Sequence, residues 1–211
     1  MAQFFTIHPD NPQPRLVRQA VTIVRGGGLI VLPTDSCYAL ACRIGDKAAM
    51  ARIRTIRGLD ARHHFGLLCR DLAEAAVYAR IDDPQFRLIK RAGRGAYAFI
   101  LQATRMVPRR LLHARRKTIG VRIPAHRVAL ALLAELDEPL LSSTLILTGD
   151  EAPLSEPPEI RARLEHQVDL ILDAGSCGTV PTTVVDLTTA IPVITRQGKG
   201  SAGLFGAALG A

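Results

Sequence analysis

The sequence predicts an α/β fold built as one domain. Three observations carry this expectation. Helical and strand-like patterns alternate along the chain, the strand-like runs are short and apolar as buried strands are, and 211 residues at 48% hydrophobic suffice for one core. Asn11 and Pro14 open a helical pattern in which Leu16, Ala20, Ile23 and Val24 share a face, and Gly26-Gly27-Gly28 stops it. Residues 29–32 follow as an apolar run ended by Pro33, a strand covered on both faces. Residues 46–56 read as a second helix, 65–69 as a strand, 84–91 as a helix and 96–101 as a strand. The alternation continues with a strand over 118–123, a helix over 128–136 and a strand over 139–143 that ends in hydroxyl residues. In the last third a helix over 157–164 precedes strands over 168–172, 182–187 and 193–195. The domain is expected to span residues 1–200, with the Gly- and Ala-rich segment 201–211 as a loosely ordered tail.

Charge narrows the partners. The net charge of +8 and pI near 9.9 concentrate anions at the surface. Between residues 105 and 122 lie seven basic residues and no acidic one, whereas 135–173 is rich in carboxylates, so one face or cleft is expected to be basic. Arg109, Arg110, Arg115, Arg116 and Lys117 in that run are the candidates for RNA contact. No run reaches the roughly 18 apolar residues of a membrane span, and the opening Met1-Ala2-Gln3-Phe4 lacks a signal-peptide layout. A cytoplasmic protein away from membranes is expected. Cys37, Cys42, Cys69 and Cys177 are scattered without a CxxC pair, which predicts reduced thiols and neither zinc nor disulfides. His63 and His64 are adjacent and point apart on extended chain, so no metal site is expected there.

A Walker loop, a dinucleotide fingerprint, a nucleophile elbow and HExxH are all missing. Gly26-Gly27-Gly28 precedes a strand, so it lacks the helix N-terminus that binds phosphate. Attention falls instead on polar residues at the ends of apolar strands, where open α/β sheets hold ligands: Thr34, Asp35, Ser36, Ser142, Ser143, Thr144, Thr182 and Thr183. Each alone reads as a cap or turn residue; their recurrence points to a site. Arg54 and Arg57 leave a helix end, where they either cap it or offer planar forks to phosphate or carboxylate.

Four segments then resemble, in order, the successive motifs of the YrdC/YciO family. They are the run over 31–40 that contains Pro33-Thr34-Asp35-Ser36, then Leu141-Ser142-Ser143-Thr144, then Pro181-Thr182-Thr183-Val184-Val185-Asp186, and Thr195-Arg196-Gln197-Gly198. The run over 4–12 and Arg70-Asp71-Leu72 are similar to the YciO-like branch. The resemblance implies a twisted open mixed sheet with helices on both faces around a basic concave cavity. It also implies double-stranded RNA or tRNA as partner, and in the synthase branch ATP with Mg2+, L-threonine and bicarbonate as substrates, giving threonylcarbamoyl-AMP and pyrophosphate, with no tightly bound cofactor. By position Thr34 would face threonine, Arg57 and Arg122 would neutralise phosphate or carboxylate, Ser142 and Thr144 would touch the nucleotide, and Thr182 and Arg196 would close the site. Asp35 is expected either to cap a turn or to stand beside magnesium.

The chain departs from the synthase pattern at several positions. Thr55 stands where the synthases carry lysine, Ile146 replaces an asparagine, and Ala98 and Cys69 replace polar residues of the threonine pocket. Three readings follow: a threonylcarbamoyl-AMP synthase, a paralogue that binds RNA without synthase activity, and another carbamoyl- or acyl-phosphate transferase.

Overall fold

The protein's structure, a computed structural model, describes residues 1–60, 63, 65–113 and 115–205. Its elements follow the chain as β1 (Gln3–Thr6), α1 (Pro14–Arg25), β2 (Ile30–Leu32), β3 (Ala39–Arg43), α2 (Lys47–Arg57), β4 (Gly66–Leu68), α3 (Leu72–Tyr78), α4 (Asp83–Ala92) and β5 (Tyr97–Gln102). After them come β6 (Thr118–Arg122), α5 (Arg127–Leu136), β7 (Leu140–Thr144), α6 (Pro157–Leu164), β8 (Leu170–Asp173), β9 (Thr183–Asp186) and β10 (Val193–Arg196). Local chemistry sets the helix ends. Asp46, Asp71 and Asp82 cap α2, α3 and α4 by accepting backbone N–H groups, and Gly58 ends α2 in the left-handed conformation at φ 61°.

Among the described residues ten strands form one mixed sheet in the order β1-β8-β2-β3-β7-β4-β6-β5-β9-β10. β8 is parallel to both β1 and β2, β4 to β6 and β5 to β9; the remaining pairs are antiparallel. Three elements go beyond the sequence-based expectation. β3 is built from Ala39-Leu40-Ala41-Cys42-Arg43, without a β-branched or aromatic residue, and becomes a strand because β2 and β7 pair with it on both sides. β1 shows no alternation and is placed by its pairing with β8, and α3 is too short for periodicity to reveal it.

Alternate strand residues face opposite ways, and the two faces of the sheet are covered differently. One face sends Val31, Leu40, Leu67, Val121, Phe99, Leu141 and Val185 into a core shared with Ile53 of α2, Ala75 of α3, Ile89 of α4 and Ile160 of α6. The other sends Ile30, Leu32, Ala41, Leu68, Leu140 and Leu170 against Val21 and Val24 of α1 and Leu132 and Leu133 of α5. Helices therefore lie on both faces, but α1 and α5 cover only the β1-to-β3 side of theirs and the adjoining ends of β7 and β4. Among the described residues no α-helix covers the rest of that face. Of the segment 201–211, residues Ala202–Phe205 form a 3₁₀ turn whose Phe205 packs edge-on against Tyr97, with ring centroids 5.4 Å apart; residues 206–211 lie outside the described residues.

Leu133 is fully buried between α5 and the sheet. Leu133→Ala is expected to cost about 3 kcal/mol, the ordinary penalty for such a cavity, read as a lower urea midpoint at unchanged slope.

Candidate functional site

The bare part of the sheet is the floor of a cavity of about 290 Å³. Ala39 of β3, Ser142 and Thr144 of β7, Gly66 of β4, Gly120 of β6, Ala98 and Ile100 of β5 and Val184 of β9 line it. Their strand neighbours Leu40, Leu141, Leu67, Phe99 and Val185 point the other way, into the core. Small and polar side chains on this face leave room that a large apolar residue would fill.

Four arginines line this cavity, Arg57, Arg116, Arg122 and Arg196. Arg57, at the end of α2, turns inward: its Nη1 donates to Ser143 Oγ at 2.5 Å and its Nε to the Ile146 carbonyl at 3.3 Å. Arg122, the last residue of β6, donates Nε to the Gly95 carbonyl at 3.2 Å and holds Nη2 at 3.6 Å from Asp35 Oδ2. Arg196 on the edge strand donates Nε and Nη2 to the Thr182 carbonyl at 3.2 and 2.9 Å, and Nη2 to the Thr182 hydroxyl. Burial pulls the guanidiniums of Arg57, Arg122 and Arg196 below their ordinary pKa, and the charge of Arg196 pushes the same way on Arg57 and Arg122. Arginine does not release its proton in proteins, so this pull expresses the cost of withdrawing a guanidinium from water, which an anion bound beside it would offset. The buried Nη2 of Arg122 has no hydrogen-bond partner among the described residues.

The 33–38 loop between β2 and β3 reaches across to Arg122. Asp35 Oδ2 accepts from the Ala125 amide at 2.9 Å, and its carbonyl accepts from Lys199 Nζ at 2.5 Å. Gly95, at φ 96°, leaves the space: a Cβ there would stand 3.0 Å from Asp35 Cγ. Asp35 therefore spends its carboxylate on the loop and on Arg122. Thr34 does not line the cavity, contrary to expectation. It is buried, and its hydroxyl donates to the Cys37 carbonyl at 2.5 Å, closing the turn. Burial pushes the Cys37 thiol up despite the Ser36 hydroxyl and nearby cations, which leaves it protonated.

Of the remaining expected site residues, Arg57, Arg122, Ser142, Thr144, Thr182 and Arg196 all line the cavity. The departures divide. Ala98 and Ile146 line it, while Thr55 is exposed and gives its hydroxyl to the Ala51 carbonyl of its own helix. Cys69 is fully buried in the core and is not among the residues that line the cavity.

The basic 105–117 segment is split. Arg116 turns to the cavity and pairs with Asp186, with Thr188 Oγ1 at 2.9 Å, and His113 lines the same wall. Arg110 donates to the Gly45 carbonyl, while Arg109, Arg115 and Lys117 stay exposed. His63 also lines the cavity; His64 lies outside the described residues. Among the described residues no cluster of three His, Cys, Asp or Glu could hold a metal ion, and no helix is long and apolar enough to cross a membrane. Sequence reasoning missed Gly66 and Gly120, whose signal is a glycine inside a strand pattern, and Lys199, which carried none.

Comparison with known proteins adds to this geometry. The profile of the Sua5/YciO/YrdC family, described as telomere recombination, matches residues 22–198. The chain is 56% identical over 200 residues to the uncharacterized protein YciO of Escherichia coli strain K12, covering 95% of this chain and 97% of that one. An E. coli YciO crystal structure superposes with a TM-score of 0.94 at 56% identity, over 97% of this chain and all of the other. A threonylcarbamoyl-AMP synthase of Pyrococcus abyssi is 28% identical over 184 residues, covering 86% of this chain and 54% of the synthase. The structure of P. abyssi Sua5 complexed with L-threonine superposes with a TM-score of 0.84 at 26% identity, over 92% of this chain and 57% of that one.

The Arg116–Asp186 pair generates a pH prediction. Burial alone would raise the Asp186 carboxyl, but hydrogen bonds from the Thr188 hydroxyl and amide and from Arg116 outweigh it and hold the carboxyl below its usual range. A depressed carboxylate stabilises the fold above its unfolded pKa of about 4 and loses that contribution as pH falls through the folded value. Asp186→Asn is expected to lower stability by about 1–3 kcal/mol at pH 7, with the gap to the parent narrowing at pH 3. Denaturant midpoints across that range measure it.

Proposed function

This chain belongs to the Sua5/YciO/YrdC family, and we propose that its cavity binds a nucleoside triphosphate beside a small carboxylate, as a threonylcarbamoyl-AMP synthase would. The observation that carries this reading is the convergence of Arg57, Arg122 and Arg196 on one cavity, with Asp35 the carboxylate that faces Arg122. Guanidinium forks match phosphate and carboxylate through paired hydrogen bonds. The relatives named threonylcarbamoyl-AMP synthase and the threonine-bound Sua5 supply the substrate class.

The reaction suits these residues. L-threonine and bicarbonate give a carbamate and water, and the carbamate oxygen attacks the α-phosphorus of ATP; the new P–O bond forms as the bond to the β,γ-diphosphate breaks, and pyrophosphate leaves with the electron pair. Such a displacement needs alignment and charge neutralisation more than a protein acid or base. Arg57, Arg122 and Arg196 would neutralise the phosphates and the threonine carboxylate. The hydroxyls of Ser142 and Thr144 would hydrogen-bond the nucleotide, and magnesium would arrive with ATP. Thr182, whose hydroxyl accepts from Arg196, positions that guanidinium. Thr34 contributes through the loop it closes. Ala98 and Ile146 leave fewer polar partners in the cavity than the synthase pattern has, and each missing one costs about 1–3 kcal/mol, so the expected turnover is slow.

Pyrophosphate release from ATP and bicarbonate that depends on L-threonine is the expected result, and its absence would remove the synthase reading. Arg122→Ala and Arg196→Ala should each weaken ATP binding by about ten- to a hundredfold, the worth of one charged hydrogen bond; calorimetry measures this directly. A second reading rests on the exposed Arg109, Arg115 and Lys117, which fit a phosphate backbone. Duplex RNA is expected to bind with steep salt dependence that flattens when these three are changed to alanine, and affinity indifferent to salt would eliminate this reading.

A further inference from the structure

Gly66 and Gly120 sit side by side in register at the centre of the cavity floor, with Ser142 beside Gly66 and Ile100 beside Gly120. Glycine inside a strand weakens it, so two neighbouring ones call for a reason. Backbone conformation is not that reason: neither glycine has positive φ. Crowding by the protein is not the reason either. A Cβ on Gly66 would lie 3.7 Å from the Gly120 carbonyl oxygen, and one on Gly120 would lie 3.6 Å from the Gly66 Cα, both ordinary contacts. The fold has room for side chains at both positions, and they would rise into the cavity. The remaining reason is an occupant that approaches the backbone closely.

The chemistry of the floor says what kind. Gly66 lies between β7 and β6, and Gly120 between β4 and β5, so the sheet ladders take up their amides. These glycines therefore lack the free N–H groups with which glycine loops hold phosphate. They offer a patch of open peptide surface, bordered by the apolar side chains of Ile100, Ala98 and Val184. Such a patch is complementary to the face of a planar ring and to little else. We propose that Gly66 and Gly120 seat the planar base of the nucleotide, face down on the sheet, while Arg57, Arg122 and Arg196 hold its phosphates. This inference rests on the nucleotide reading above and adds to it which residues admit the base.

The test compares ATP with inorganic tripolyphosphate, which carries the charge without the ring, by calorimetry on the full chain and on Gly66→Ala and Gly120→Ala. A methyl group lifts a stacked ring off the floor, so both variants are expected to bind ATP at least about tenfold more weakly. Their tripolyphosphate affinity should stay within about twofold of the parent, and their melting temperatures should be no lower, since alanine fits both backbones. Parent-like ATP binding by both variants overturns the seat and leaves the nucleotide reading intact. Equal losses for ATP and tripolyphosphate overturn it as well. A parent that binds ATP no more tightly than tripolyphosphate leaves the ring without a seat, while a parent that binds neither removes the nucleotide reading itself.

Discussion

Two helices cannot cover one face of a ten-stranded sheet, and the molecule's chemistry follows from where α1 and α5 leave off. A helix is about 10 Å across while strands lie about 4.8 Å apart, so each helix shields roughly two strands. The opposite face, with α2, α3, α4 and α6, closes into a continuous core that holds the sheet together. Beyond β3 the bare face cannot be hydrophobic without inviting aggregation. It carries Ser142, Gly66, Gly120, Thr118 and Ala98 instead, and becomes a concavity.

Charge is arranged around this concavity with little compensation. Asp35 stands near Arg122, at 3.6 Å, and shares its carboxylate with the Ala125 amide; Asp186 is committed to Arg116 and Thr188. Arg57 and Arg196 have hydroxyl and carbonyl oxygens as partners, which orient a guanidinium without cancelling its charge. Charge taken partly out of water without a counter-charge, as at the half-buried Arg57, is costly in a free protein. It is of use where an anion spends part of its time, because the bound state then recovers what the free state lacks. The 33–38 loop is the device that keeps the arrangement in place: Thr34 closes it, Asp35 ties it to β6 and to Lys199, and Gly95 makes the space in which it lies.

Much of this was legible in the chain. The apolar run after Gly28 had to be a buried strand, the 14–25 pattern had to be an amphipathic helix, and hydroxyls recurring at strand ends marked Ser142, Thr144 and Thr182 before any geometry was known. The ordered motifs led to the family. Periodicity, however, reports that a face is buried and is silent on what buries it. β3, without β-branched residues, gained its identity from two neighbours far away in sequence.

The site divides along the same line. Residue type determined the anion preference, because a guanidinium keeps its charge in any fold. Tertiary structure alone decided which cations share a cavity: Arg57 was free to cap its helix yet turned to Ser143, and Arg116 left the expected basic run for Asp186. It also took Thr34 out of the cavity by spending its hydroxyl on the Cys37 carbonyl, and it set Gly66 against Gly120. The physical reason is common to all of these. Local sequence specifies what a side chain can bind and whether its segment is helix or strand, whereas register between distant strands and competition for nearby acceptors are settled only when the sheet closes.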